Sequence, residues 1–178
     1  MRTSACLGCV TWATVVVPAM LPSSVRAASM VVVQEGQPVA TIVTAEDPGP
    51  KVAAAAEELR TYLERMSGAR LLVVTDAESP AGALILVGKS RLTQRLAVPI
   101  PSGLTNARRE EGYVVVCRGD RLVLAGNDEG PYHGTEYAVY DLLGRLGVRW
   151  FMPGEYGEIV PRQSTISVSE LQVREQPD

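Results

Sequence analysis

The stretch from Gly126 to Pro161, GNDEGPYHGTEYAVYDLLGRLGVRWFMPGEYGEIVP, decides how this chain is read. It starts at the end of an apolar run, passes a loop broken by Gly126, Gly130 and Gly134, and enters a segment where Tyr137, Tyr140, Leu143 and Leu146 repeat at helical spacing. That spacing predicts a helix from about Pro131 to Leu146, ended by Gly147. Beyond it Val148 to Phe151 is a short extended piece and Pro153 with Gly154 a turn. Gly157 to Pro161 and Thr165 to Val168 read as the last strands.

Upstream, Met30 to Gln34 and Val39 to Val43 are β-branched runs flanking a turn at Glu35 to Pro38, which predicts a first hairpin. From Lys51 the period changes to that of a helix, with Val52, Ala55, Leu59, Tyr62, Leu63 and Met66 on one face, Pro50 at its start and Gly68 past its end. Arg70 to Thr75 and Ala83 to Gly88 are short apolar runs bounded by turn residues and read as strands. Ser90 to Leu96 fits a short helix. Glu111 to Cys117 and Arg121 to Ala125 form a hairpin around Arg118, Gly119 and Asp120, with Tyr113, Val115 and Cys117 on one face and Val114 and Val116 on the other. This order of elements predicts an α+β layer, a mixed sheet of about five to seven strands with two main helices on one face.

The chain has 178 residues, 46% of them apolar, enough for one domain with a sizeable core. Arg2 followed by the apolar run Cys6 to Leu21 and the small-residue site Val25-Arg26-Ala27 has the pattern of a secretory signal peptide over residues 1–27. The run is interrupted by Pro18 and Pro22 and is too short for a retained anchor, which leaves no membrane partner after its removal. Cys6 and Cys9 lie inside that segment, so Cys117 alone remains and the fold rests on packing without an intrachain disulfide. Formal charge is −3 for the whole chain and about −5 without Arg2 and Arg26. With Arg108 and Arg109 as the densest basic cluster, nothing resembles a surface for a nucleic-acid backbone. The polar tail from Glu170 to Asp178 reads as a linker without a partner element, leaving residues 28–169 as the domain.

Several residues are candidates for chemistry. Gly126, Gly130 and Gly134 sit where phosphate loops occur, between strand and helix, but fit neither nucleotide-binding spacing, and Asp128 and Glu129 would repel an anion. Those two acids suit the cap and dipole of the following helix better. His133 is the sole histidine, so a metal site has no second imidazole. It is read as a partly exposed first-turn side chain or a contact to a ligand or partner domain. Asp128 with Glu129, and Glu155 with Glu158, are the carboxylate pairs a glycosidase would need, against the plain reading of solvated loop acids. Arg149, Trp150 and Phe151 form the strongest ligand or partner surface: aromatic rings beside an Arg suit sugar faces and carboxylates, or they cover an interface to a neighbouring domain. No cofactor site is legible.

The segments Ala53 to Leu63, Ile85 to Gly88, Gly134 to Tyr140 and Gly147 to Trp150 resemble the N-terminal domain of secreted glycoside hydrolases of the alpha-glucuronidase and beta-hexosaminidase type. That resemblance spans about Met30 to Asp178 and contains no catalytic signature. It implies an α+β module packed on a catalytic (β/α)8 barrel in cis or trans, secreted or periplasmic, non-catalytic by itself, with Trp150 at the junction. It also implies an oligo- or polysaccharide as a possible partner. A barrel needs about 250 residues, which this chain does not contain. The alternative is a free-standing secreted module that binds carbohydrate or protein. On the junction reading, Trp150→Ala weakens association with a barrel and leaves folding nearly intact.

Overall fold

The computed structural model describes residues 29–104, 111–152 and 154–176. The expected leader with Cys6 and Cys9, the Arg108 and Arg109 pair, Pro153 and the last two residues lie outside the described residues.

Eleven strands and three α-helices follow one another as β1 (Ser29–Gln34), β2 (Gln37–Pro38), β3 (Ala40–Thr44), α1 (Pro50–Ser67), β4 (Val73–Thr75), β5 (Ala83–Val87), α2 (Arg91–Arg95), β6 (Tyr113–Arg118), β7 (Arg121–Gly126), α3 (Gly134–Arg145), β8 (Arg149–Trp150), β9 (Glu158–Ile159), β10 (Ile166–Ser169) and β11 (Leu171–Glu175) among the described residues. The main sheet is six-stranded in the order β11-β6-β7-β5-β3-β4. Strands β4, β3, β5 and β7 run parallel, and β6 runs antiparallel to both β7 and β11. A three-stranded sheet, β10-β1-β2, and the ribbon β8-β9 complete the fold.

Both main helices lie on one face of the large sheet, as the periodicity predicts. Helix α1 starts on Pro50 and stops at Gly68, which takes the left-handed conformation (φ 77°) and donates its N–H to the Glu64 carbonyl. Its buried stripe of Ala55, Ala56, Leu59, Leu63 and Met66 joins Ala138, Val139, Leu142 and Leu143 of α3 in one core with Ile42, Ile85, Val115, Leu122 and Leu124. Burying one such leucine contributes about 1.5–3 kcal/mol. The other sheet face, Val43, Leu84, Leu86, Val114, Val116, Val123 and Ala125, is covered by Leu92 of α2 with Val98 and Ile100. The alternation read in β6 therefore buries both of its faces.

Two expectations are corrected. The runs Met30 to Gln34 and Val39 to Val43 are not one hairpin. β1 pairs with β2 and β10, while β3 departs into the large sheet between β4 and β5. Four of the five residues of β3 are buried, as a strand covered on both faces requires, and such a strand belongs inside a parallel sheet. The tail is not unpartnered: Leu171 to Glu175 form the edge strand β11 against Tyr113 to Cys117. Its backbone amides complete a ladder that the polar side chains do not advertise. The buried stripe of α3 is Ala138, Val139, Leu142 and Leu143, with Tyr140 and Leu146 partly buried against the same core and Tyr137 exposed.

Candidate functional site

Two regions of the decisive stretch have separate jobs, at opposite ends of α3. At its start, β7 and the helix cross at contact distance. A Cβ on Gly126 would lie 2.2 Å from the Gly134 carbonyl carbon, and one on Gly134 would lie 2.3 Å from the Asn127 nitrogen. Only glycine fits at either position, so the Gly126 and Gly134 spacing reflects a backbone crossing. Asp128 caps the helix: its carboxylate accepts from the Thr135 N–H (2.9 Å) and hydroxyl (2.6 Å), and the buried Thr135 oxygen in turn accepts from the Gly126 N–H (3.1 Å). The loop turns carbonyls toward Lys51, whose ammonium donates to Gly130 (2.6 Å) and Tyr132 (2.7 Å). That arrangement holds a cation, the opposite of a phosphate cradle. His133 stands at the N-cap position with its ring Nδ1 2.7 Å from the Glu136 carboxylate, and its backbone N–H donates to the Glu111 carboxylate (3.3 Å). Glu129 lies 3.5 Å from the Lys89 ammonium.

The second region lies on the outer side of the α1 and α3 layer. The ribbon β8-β9 lays the Trp150 indole across the two helices, edge-to-face with Tyr62 of α1 (5.7 Å, 80°) and Tyr140 of α3 (5.3 Å, 86°). The indole N–H donates to the Tyr62 hydroxyl (3.0 Å) and to Glu158 (3.2 Å). Glu158, paired across the ribbon with Trp150, also accepts from the Tyr62 hydroxyl and from Arg65 (2.6 Å). The Tyr140 hydroxyl donates to Glu58 (2.7 Å), and the Arg65 guanidinium stacks 5.1 Å from the Tyr62 ring centre.

These contacts set the protonation states. The hydrogen bond from Arg65 holds the Glu158 carboxyl below the usual glutamate range; partial desolvation opposes it, and Tyr62 and Trp150 add to the lowering. Burial pushes the Tyr62 hydroxyl up, helped by its bond to Glu158, and burial with the Glu58 hydrogen bond does the same to Tyr140. Glu158 is thereby fixed as an acceptor and both phenols as donors.

Around this node the surface is apolar. Phe151 (71% exposed) and Met152 (61%) project beside the partly exposed Trp150 (41%), and Tyr156 (97%) and Ile159 (55%) are exposed further along the same segment. A cleft of about 570 Å³ opens between Tyr62, Trp150, Phe151, Met152, Gly154 and Glu158.

The structure thus separates the sequence-derived candidates. Trp150 and Phe151 share this face, while His133 lies at the far end of α3. Arg149 turns away from the cleft: its guanidinium donates to the carbonyls of Gly144 and Val148 and closes the C-terminal end of α3. Asp128 is tied up in capping, and Glu158 is ion-paired. The side chain of Glu155 lies outside the described residues. Tyr62, Arg65, Tyr140 and Glu158 are the members the sequence did not group. The one available signal was that Tyr62 and Tyr140 carry hydroxyls, which a buried helix stripe must satisfy.

This architecture is a glycoside hydrolase-related fold. Among solved structures, the chain is similar to a family GH115 4-O-methyl-alpha-glucuronidase with specificity for decorated arabinogalactans, at 25% identity and a TM-score of 0.59. The match covers 83% of this chain and 18% of that one, so the chain spans under a fifth of that enzyme's length. No protein-family model matches the chain, and no curated protein matches it.

Proposed function

We propose that this chain is a non-catalytic accessory domain of a secreted glycoside hydrolase of the alpha-glucuronidase kind, and that its helix layer docks on a catalytic barrel in cis or trans. The observation that carries the reading is the contrast within the second region. Its polar groups are bonded to one another, whereas its apolar groups face outward. The indole N–H, the Glu158 carboxylate, the Tyr62 hydroxyl and the Arg65 guanidinium are all engaged, so little hydrogen-bonding capacity is left for the hydroxyls of a sugar. Phe151, Met152, Tyr156 and Ile159 have no cover. Bulky apolar and aromatic groups around a rigid, satisfied polar centre suit a protein interface better than a saccharide subsite. The likeness to one segment of a much longer glucuronidase supports the same reading. So does the apolar leader for secretion.

The alternative, a free-standing module that stacks a sugar on Trp150, draws on the same cleft. It has the ring but lacks the expected Arg149 beside it. Hydroxyl-radical footprinting separates the two. In the isolated chain Phe151, Met152 and Tyr156 oxidise fast. In the protein isolated from its source with its natural partner or remaining domains, docking protects all three. Equal oxidation in both samples sinks the docking reading.

A further inference from the structure

On the sheet face opposite the helix layer, the connection from β4 to β5 and helix α2 enclose a cavity of about 330 Å³. Its lining includes three guanidinium groups, Arg91, Arg95 and Arg121, and one carboxylate, Asp76, against apolar walls from Leu84 and Leu92.

The charges are not mutually satisfied. The Asp76 side chain is buried, 2% exposed, and takes the Arg91 N–H (2.9 Å) and two nitrogens of its guanidinium, Nη2 (3.2 Å) and Nε (3.4 Å). The Arg91 Nη1 is left over, with Glu46 only at 3.9 Å from Nη2. Arg121 uses Nη1 alone, on the Gly82 and Asp120 carbonyls (2.7 and 3.0 Å) and on the Asp120 carboxylate (2.8 Å). Arg95 has no hydrogen-bond or ion-pair partner among the described residues. A semi-enclosed space that holds one unpaired guanidinium and two half-used ones favours an oxyanion. The planar forks suit a carboxylate in particular.

The volume sits at the small end of ligand pockets, which run from about 300 to 1,000 Å³. It excludes a polymer. A bare inorganic ion would leave the Leu84 and Leu92 wall uncovered. We propose that this cavity binds a ring-sized organic carboxylate, with its oxyanion on Arg95 and Arg121 and its carbon skeleton against Leu84 and Leu92. Because the cavity and the Trp150 face lie on opposite sides of the sheet, both can be occupied together, and failure of one proposal leaves the other untouched.

The test follows the side-chain Nε–H resonances of arginine in the full chain during titration with glucuronate, its neutral counterpart glucose, and inorganic phosphate. Arg95→Gln assigns its own signal and serves as the binding variant. Arg95 is exposed and unpartnered, so this variant folds. The expected result is saturable movement of the Arg95 and Arg121 signals by glucuronate, none by glucose, weaker binding of phosphate, and roughly a tenfold or greater loss of glucuronate affinity in the variant. Equal responses to glucuronate and glucose, phosphate binding as tightly as glucuronate, or unchanged affinity in Arg95→Gln would each overturn the proposal.

Discussion

Replacing Trp150 with alanine measures how firmly the aromatic node belongs to the domain. Full truncation of a buried aromatic costs about 3–5 kcal/mol. Trp150 is 41% exposed, so a little over half of that cost applies, about 2–3 kcal/mol. The two edge-to-face contacts, at about 0.5–1.5 kcal/mol each, are of the right size to account for most of it. The indole N–H adds about 1 kcal/mol, because Tyr62 and Glu158 keep each other and Arg65 as partners once it is gone. The total is about 3–4 kcal/mol, which for a domain of this size lowers Tm by about 6–16 °C. Trp150→Phe, which keeps the ring and loses the N–H, should cost about 1 kcal/mol. Urea unfolding followed by far-ultraviolet circular dichroism gives both numbers, with an unchanged m-value showing that the fold persists. The cost exceeds what a junction residue read from sequence implies, since Trp150 packs against its own domain. A loss under about 0.5 kcal/mol would refute the described packing, and loss of cooperative unfolding would make Trp150 part of the core.

Further outcomes are expected from other parts of the molecule. Gly134→Ala drives a Cβ into the Asn127 nitrogen at 2.3 Å and should cost about 3 kcal/mol or more in urea unfolding; wild-type stability would mean that the crossing is not as described. Glu158 has its folded pKa depressed, so its contribution is fully present above the ordinary glutamate value of about 4.3 and is lost as pH falls through the lower folded value. Glu158→Gln should therefore lose stability at pH 7, and its gap to wild type should narrow below about pH 4 in thermal melts. Tyr62 and Tyr140 are raised, and Tyr113 is pushed up to about 12, mainly by burial. Their contribution holds below the ordinary tyrosine value of about 10 and is lost as pH rises past it, so phenolate absorbance should appear together with unfolding on the alkaline side. Lys51→Met removes the ammonium from the Gly130 and Tyr132 carbonyls and should cost about 1–2 kcal/mol, with faster amide exchange confined to the loop at 127–133.

Much of the fold was legible because local pattern and burial agree. The α1 stripe, its Pro50 and Gly68 ends, the β6-β7 hairpin and the short α2 behind Ser90 all follow from period and turn chemistry. What failed was pairing between distant segments. Nothing within Val39 to Val43 says that β3 leaves β1, because a strand's partner depends on which edge remains open. The tail was misread for a similar reason: in Leu171 to Glu175 only Leu171 and Val173 face inward, yet the open edge of β6 takes the whole strand. At the candidate site, Trp150 and Phe151 were visible as aromatics. The node around Trp150 was not, because it joins positions 62, 140, 150 and 158 through tertiary contact alone. The use Arg149 makes of the carbonyls of Gly144 and Val148 was not visible either, because it depends on where the last turn of α3 ends relative to the ribbon.

The most direct test of docking is a photoreactive phenylalanine analogue at position 151, used in the protein as isolated from its natural source. Cross-linked peptides are read by mass spectrometry, with the same probe at Leu72, exposed on the sheet side, as the control. Docking requires that position 151 cross-link to a glycoside hydrolase catalytic domain, within the chain or on a partner, and that position 72 does not. Absence of such a cross-link, or equal cross-linking from both positions, would contradict the account.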